Sequence, residues 1–429
     1  MKVQLSMQFA SPSSPQPVVP GRRLIFHIDI NSYFATMLQQ ENPALRGKVV
    51  GVVKGVGRSC IIASSNEAKK VGIKTGFVVK EAKKIAPQIV LVPANFDIML
   101  SATRKLKDLF SELSPSVHVF SLDEVFLDLT GCEGLMKNQP TVYAQRIQQR
   151  IKEVLGEWVQ CNVGISHNKL LAKMAGEIGP KGSVETIDET NLDEVLTGIS
   201  FHDVCGVGMR LEEKLRLLGV THPIQINLID DETLNQYFGP HWSKELRKVS
   251  RGEETHFFTH TRAVLYQQSV GRTITGYKLC DDEFQIRRVL LNLLEEATHK
   301  LRAMDLSGRK IGISLHGHDT YWSEHRTLRY WVRHTDEIWS LLYDGMYKKW
   351  DRQFPVIKFG VWIGDCKPTR STPQSLLPEW SKREKIYSIV DKINDKFGSF
   401  TVKPATLLGG PIIKPEVTGY LGDRIYLGL

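Results

Sequence analysis

The chain has 429 residues, more than one hydrophobic core usually serves, so several domains are expected. Its 41% hydrophobic and 24% charged content is that of an ordinary globular protein, and no apolar run nears the roughly 18 residues of a membrane span, which argues against a helical membrane protein. Lys and Arg outnumber Asp and Glu by 56 to 47, a balance that suits a polyanionic partner but is shared by many proteins that bind none.

Residues 1–20 are polar and rich in Ser and Pro, with no continuous apolar stretch of the kind a signal peptide needs. They read as a flexible tail on a cytoplasmic protein. From Arg22 a strand, LIFHIDI, runs straight into a helix, NSYFATMLQQ, with Asn31 or Ser32 as its N-cap. KVVGVV is a second strand. CIIASSNEAKKVGIKTG reads as a strand entering a short helix, EAKKIAP as a helix stopped by Pro87, and IVLVP as another strand. Ile98–Leu113 has helical periodicity. VHVFSLDEVFLDLTG then has the strand–acidic turn–strand pattern of a hairpin, with Asp123 and Glu124 where it turns. A helix over Val142–Val159, a strand CNVGIS and a helix NKLLAKMAGEIGPKG ending in a Gly-Pro-Lys-Gly breaker complete an alternating first half.

Residues 186–255 read as a small helical domain with the breakers CGVG and FGP, and 256–267 as a linker. Residues 268–366 follow the order βαββαβ, a unit in which two helices cover a four-stranded sheet. The remaining residues, 367–429, form a tail with one helix, SKREKIYSIVDKINDKFG. The six cysteines include no C-x-x-C pair, which argues against a zinc site or a disulfide framework.

The chemistry points to three acids. Asp29 ends an apolar strand, and Asp123 and Glu124 sit within an apolar strand pair; a carboxylate flanked by core residues is costly unless it binds something. Nucleotidyl transfer needs such carboxylates on neighbouring strands, because two divalent ions about 4 Å apart activate the hydroxyl nucleophile and neutralise charge building on phosphorus. Taken singly, a strand-end Asp is most often a cap or turn residue, and an Asp-Glu pair in a hairpin is at least as often a solvated turn. Asp128, four residues beyond the pair, reads as structural.

With these residues stand HIDINSYFA, CIIASSNEAKKVGIKTG, VFSLDEVFLDLTG, NVGISHNKLLAKMAGEIGPKG and DVCGVGMRLEEKLRLLGV. Together, in this order, they resemble the Y-family translesion DNA polymerases from about Leu24 to Thr401. The resemblance implies an α+β, multidomain right-hand fold: palm (21–39 and 98–185), fingers (40–97), helical thumb with a helix-hairpin-helix (186–255), linker (256–267) and βαββαβ little finger (268–366). It further implies template-directed DNA synthesis on primer-template DNA with dNTPs. Two Mg²⁺ ions, replaceable by Mn²⁺, would be held by Asp29, Asp123, Glu124 and the backbone carbonyl of Ile30. Asn31 stands where an Asp is common in the family, as in polymerase-V-like members. Tyr33 and Phe34 would begin a helix under the sugar, with Phe34 as the steric gate against a ribose 2′-hydroxyl.

Asn66 and Lys69 replace the Tyr and Arg that usually hold the triphosphate, so lysine supplies a point charge without the planar fork of arginine. Lys169 matches the palm lysine. Gly206 and Gly208, in CGVG rather than PGIG, would let backbone amides reach a DNA phosphate. Arg272, Arg326 and Arg329 are candidate little-finger contacts with phosphates. Two segments, Gln4–Phe9 (QLSMQF) and Gln374–Pro378 (QSLLP), have the glutamine-plus-apolar form of a sliding-clamp peptide. A catalytically silent scaffold of a bypass complex is the alternative, but such members usually lose the acids that stand here. A nucleotidyl cyclase would lack the thumb hairpin and little finger.

Overall fold

A computed structural model describes residues 23–54, 60–259, 267–373 and 378–413. The tail with its segment 4–9, and residues 374–377 of the second clamp-like segment, lie outside these. The chain divides into two compact units, Met1–Thr261 and Arg262–Leu429.

In chain order the first unit runs β1 (Ile25–Ile30), α1 (Tyr33–Glu41), β2 (Val50–Val53), β3 (Ile61–Ser64), α2 (Asn66–Lys70), α3 (Val79–Ile85), β4 (Val90–Pro93), α4 (Phe96–Leu113), β5 (Ser116–Val119) and β6 (Glu124–Asp128). It continues with α5 (Pro140–Leu155), β7 (Cys161–Ser166), α6 (Lys169–Ile178), β8 (Val184–Thr186), α7 (Leu192–Gly198), α8 (Met209–Leu217), α9 (Asp231–Ser250) and α10 (His256–Thr259). Its main sheet has the order β5-β6-β1-β7-β8, and β3-β2-β4 form a separate small sheet. β1 is the middle strand, and five of its residues are buried; Asp29 is the exception.

α6 lies against this sheet because two glycines let the backbones meet. A Cβ on Gly164 of β7 would come 2.0 Å from the Ala172 carbonyl oxygen and 2.3 Å from the Gly176 nitrogen. The helix start is fixed by Asn168, whose side chain accepts from Leu171 N–H at 2.9 Å and donates to the Gly252 carbonyl at 2.8 Å. At α1 the N-cap residue is Ser32, in the left-handed region at φ 51°, and its hydroxyl donates to Asn66 Oδ1 (2.9 Å) rather than capping the helix.

The second unit runs β9 (Ser269–Cys280), α11 (Glu283–Ala303), β10 (Leu306–His316), β11 (Tyr321–Val332), α12 (Thr335–Tyr343), β12 (Val356–Gly364), the two-residue β13 (Lys367–Pro368) and α13 (Pro378–Phe397). The antiparallel sheet β11-β10-β12-β9 has the expected βαββαβ order. One face carries Val270, Ile311, Ile313, Leu315, Phe359, Val361 and Ile363 into a core with α11 and α12. α13 is tied to this unit: Arg302 donates to both carboxylate oxygens of Asp391 (2.7 and 2.8 Å), and His334 Nε2 meets Glu384 at 2.7 Å.

The expected linker needs correction at its start. His256–Thr259 is helical, and Phe258, 1% exposed, packs its ring 5.6 Å from Phe126 and 5.9 Å from Phe120. An aromatic side chain this buried belongs to the first unit's core. Phe258→Ala should therefore cost about 3–5 kcal/mol in urea unfolding, the range for emptying a core aromatic site; a loss below about 0.5 kcal/mol would return the segment to the linker.

Candidate active site

The register of the main sheet sets the acids against each other. Asp29 on β1 is the direct cross-strand partner of Glu124 on β6 and, on its other side, of Asn162 on β7. The Ile30 N–H donates to the Asp123 carbonyl at 3.0 Å, which holds the turn beside the end of β1. Within that turn the Ser121 hydroxyl donates to Asp123 Oδ1 and accepts from the Asp123 and Glu124 N–H groups at 3.2 and 3.0 Å.

Oxygens of Asp29, Glu124 and Glu177 all lie within 4.8 Å of one another. Asp123 is not a member of that group, since its carboxylate is turned to Ser121, but it stands close enough to act on Asp29 electrostatically. Burial, and then the charges of Asp123 and Glu124, push the Asp29 carboxyl up to about 8. Burial also raises Asp123 and Glu124. Carboxylates crowded this way resist ionising together, so the cluster needs positive charge.

Lysine supplies some of it. Lys173 on α6 places Nζ 2.7 Å from Glu124 Oε1 and 3.8 Å from Glu177 Oε1. Burial works to lower the Lys173 pKa, but Glu124 and Glu177 outweigh it and the net direction is upward. Lys69 on α2 is lowered by burial and by the charge of Lys181, while Asp29, Glu177 and Asp123 pull the other way. Asn162 holds the turn carrying Lys181: its Oδ1 accepts from Gly182 N–H at 2.7 Å, and its Nδ2 donates to the Gly176 carbonyl at 2.8 Å. An all-carboxylate donor set suits a hard divalent cation rather than a soft metal. Close by in sequence, Asn31 is 1% exposed with neither amide atom paired, the state of a buried polar group awaiting a partner.

The other expected residues fall in different places. Phe34 is half-buried on the first turn of α1, edge-on to Phe96 and Tyr33. Tyr33 belongs to the core, its hydroxyl donating to the Met99 carbonyl at 2.6 Å, so it supports the site from beneath. Asn66 starts α2 and accepts from Ser32. The Lys169 ammonium lies 5.9 Å from the Phe126 ring centre, while Lys69 and Lys173 act electrostatically on Asp123. Gly206 has φ +94°, and Gly208 is the N-cap of α8 with open space where a Cβ would stand.

Two arginines also need correction. Arg272 shares the core side of β9 with Val270, is 8% exposed and pairs with Glu296 at 2.8 Å. Arg326 shares the side of Trp322 and Leu328 on β11 and donates to the Gly345 carbonyl at 2.5 Å. Arg329 is exposed on the opposite, open face. That face also carries Lys310 and Trp362, whose indole lies over Gly312, where a Cβ would sit 2.3 Å from the ring.

Sequence comparison agrees with this architecture. Residues 28–177 match the profile of the impB/mucB/samB family, and residues 267–376 match that family's C-terminal domain. A DNA polymerase IV of Pelotomaculum thermopropionicum is 28% identical over 388 residues, covering 89% of this chain and 94% of that protein. DNA polymerase IV 1 of Bacillus subtilis is 26% identical over 416 residues, covering 94% and 98%. A solved Y-family DNA polymerase chimera matches the fold with a TM-score of 0.67 at 22% identity, covering 80% of this chain and 98% of its own. The chain belongs to the Y family of translesion polymerases. Among the described residues, no helix is long and apolar enough to cross a membrane.

Asp29 gives the site a pH signature. In the cation-free chain it holds its proton up to about 8, against an ordinary value of 3.8. Between those values the folded chain binds a proton that the unfolded chain has released, so this group's contribution makes stability fall as pH rises. The melting temperature of EDTA-treated protein should decline from about pH 5 to about pH 8, and a saturating divalent cation should flatten the decline. A slope that the cation leaves unchanged would contradict the reading.

Proposed function

We propose that this chain is a template-directed DNA polymerase of low fidelity that extends primers across damaged templates, joining a dNMP to the primer 3′-hydroxyl. The carrying observation is the cross-strand pairing of Asp29 with Glu124, with Asp123 held beside them by the Ile30 N–H. The sheet around β1 serves as palm, β2–β4 with α2 and α3 as fingers, α7–α9 as thumb and the βαββαβ unit as little finger.

The 3′-hydroxyl oxygen attacks the α-phosphorus in line, the bond to pyrophosphate breaks, and the hydroxyl proton is released. Two Mg²⁺ ions, or Mn²⁺ in their place, held by Asp29, Asp123, Glu124 and the Ile30 carbonyl, would supply activation of that hydroxyl and neutralise the developing charge. Lys69 and Lys181, close enough for the charge of one to act on the other, hold the triphosphate as point charges beside the acid cluster. Phe34 stands at the sugar, where its ring crowds a 2′-hydroxyl. Backbone amides from Gly206 to the start of α8 take a DNA phosphate, since the glycines leave the main chain uncovered. Arg329 and Lys310, on the open face of the little-finger sheet, add phosphate contacts that position DNA without reading its sequence. The clamp-like segments 4–9 and 374–378 are proposed tethers to a sliding clamp.

Primer extension with the purified chain, Mg²⁺ and dNTPs tests the activity. Asp123→Ala should lower extension by about a hundredfold or more while DNA binding persists; binding without extension by the unaltered chain would instead support a silent scaffold. Phe34→Ala should lower discrimination against ribonucleotides by up to about a hundredfold, and unchanged sugar selectivity would remove Phe34 from the gate. The arginines separate by a salt titration. Arg329→Ala should reduce the slope of log affinity against log salt by about one. Arg272→Ala should leave that slope alone and destabilise the fold by about 3–5 kcal/mol, as breaking a buried ion pair does. The reverse pattern would overturn the assignment of faces.

A further inference from the structure

The cluster contains two groups that the proposed chemistry does not use, Lys173 and Glu177. Both lie on α6, one helical turn apart, and the helix is fixed by the Gly164–Gly176 approach and by the Asn168 cap. The Lys173 ammonium is mostly buried (its side chain is 12% exposed), bonded to Glu124 and 5.5 Å from the Phe120 ring centre. Its distance to Glu177 Oε1, 3.8 Å, already lies within ion-pair range. Glu124 cannot serve a close ammonium and a divalent cation equally, because the two positive charges repel at short range. A buried ammonium left without a partner is costly.

We propose that Lys173 is the resident counter-ion of the acid cluster, and that Glu177 is the second seat onto which it moves when a divalent cation takes Glu124. This rests on the reading of Asp29 and Glu124 as cation ligands. The exchange replaces one ion pair with another on the same helix, and it needs only side-chain rotation. Lys173 and Glu177 are thus positioning residues: Lys173 holds the carboxylates together before the cation arrives, and Glu177 sets how easily it leaves. They govern the affinity of the site for cations before nucleotide or DNA is present.

The test is a Mn²⁺ titration of the full chain without nucleotide or DNA, reading free Mn²⁺ by electron paramagnetic resonance. The proteins are wild type, Glu177→Gln, Lys173→Met and the double variant. Stranding Lys173 on Glu124 should make Glu177→Gln bind Mn²⁺ about tenfold more weakly. In the Lys173→Met background the same change should cost at least about threefold less, because no ammonium needs a second seat. Plain charge attraction, or direct ligation by Glu177, predicts the opposite: an equal or larger cost without Lys173, where the carboxylates repel one another more. That outcome overturns the proposal, as does a Glu177→Gln variant that binds like wild type. Lys173→Gln serves in the same cycle should Lys173→Met fail to fold. Wild-type protein that binds no Mn²⁺, or an Asp29→Ala variant that binds it undiminished, would instead defeat the cation-site reading itself.

Discussion

The structure turns on one pairing that a strand ladder would ordinarily avoid: two carboxylates, Asp29 and Glu124, directly opposite each other on adjacent strands. Like charges opposed across a sheet are destabilising, and here burial adds to the cost, as the upward shift of Asp29 to about 8 records. Slippage offers little relief, since moving β1 by one residue would carry Asp29 to the face where Ile28 and Ile30 are buried. The apolar strands enforce the register, and the register enforces the charge. What remains is to supply positive charge, from Lys173 and Lys69 within the chain and from a divalent cation outside it.

The surrounding elements follow from that requirement. α6 can bring Lys173 to Glu124 only because Gly164 and Gly176 let it lie close to β7. Asn162, the partner of Asp29 on the other side, holds the Gly182 turn and so keeps Lys181 near the site. α1 and α2 are joined by Ser32 to Asn66 and by Gln39 to Glu67 at 3.2 Å, which ties the segment bearing Lys69 to the strand bearing Asp29. Each contact brings a group distant in sequence to a fixed position around one small acidic volume, which is how a static scaffold prepares an electrostatic environment before substrate enters.

Much of this was legible in the residues. Acids set within apolar strands and the βαββαβ order are local signals, and the structure bears both. The orientation of the little-finger arginines follows from strand periodicity, which opposes the expected phosphate contacts of Arg272 and Arg326. In SVGRTIT, Arg272 alternates with Val270 and Ile274, and in HRTLRYW, Arg326 shares parity with Leu328, so period-two alternation places both on the covered face. Of the two aromatics in the expected linker, Phe258 is buried in the core while Phe257 stays 45% exposed, and nothing in the local sequence separates them. Other features left no trace in sequence. Nothing local distinguishes Glu177 from a solvated helix residue, or shows that Lys169 would lie over Phe126 while Lys173, one turn on, reaches the acids.

Asp29 and Glu124, on this view, jointly hold a divalent cation that displaces lysine from their midst. Anomalous-difference density from crystals of the full chain soaked in Mn²⁺ tests it most directly. The expected result is a peak beside the carboxylates of Asp29 and Glu124, with the Lys173 ammonium no longer bonded to Glu124. A peak elsewhere in the molecule, or Lys173 still seated on Glu124 beneath an occupied site, would contradict it.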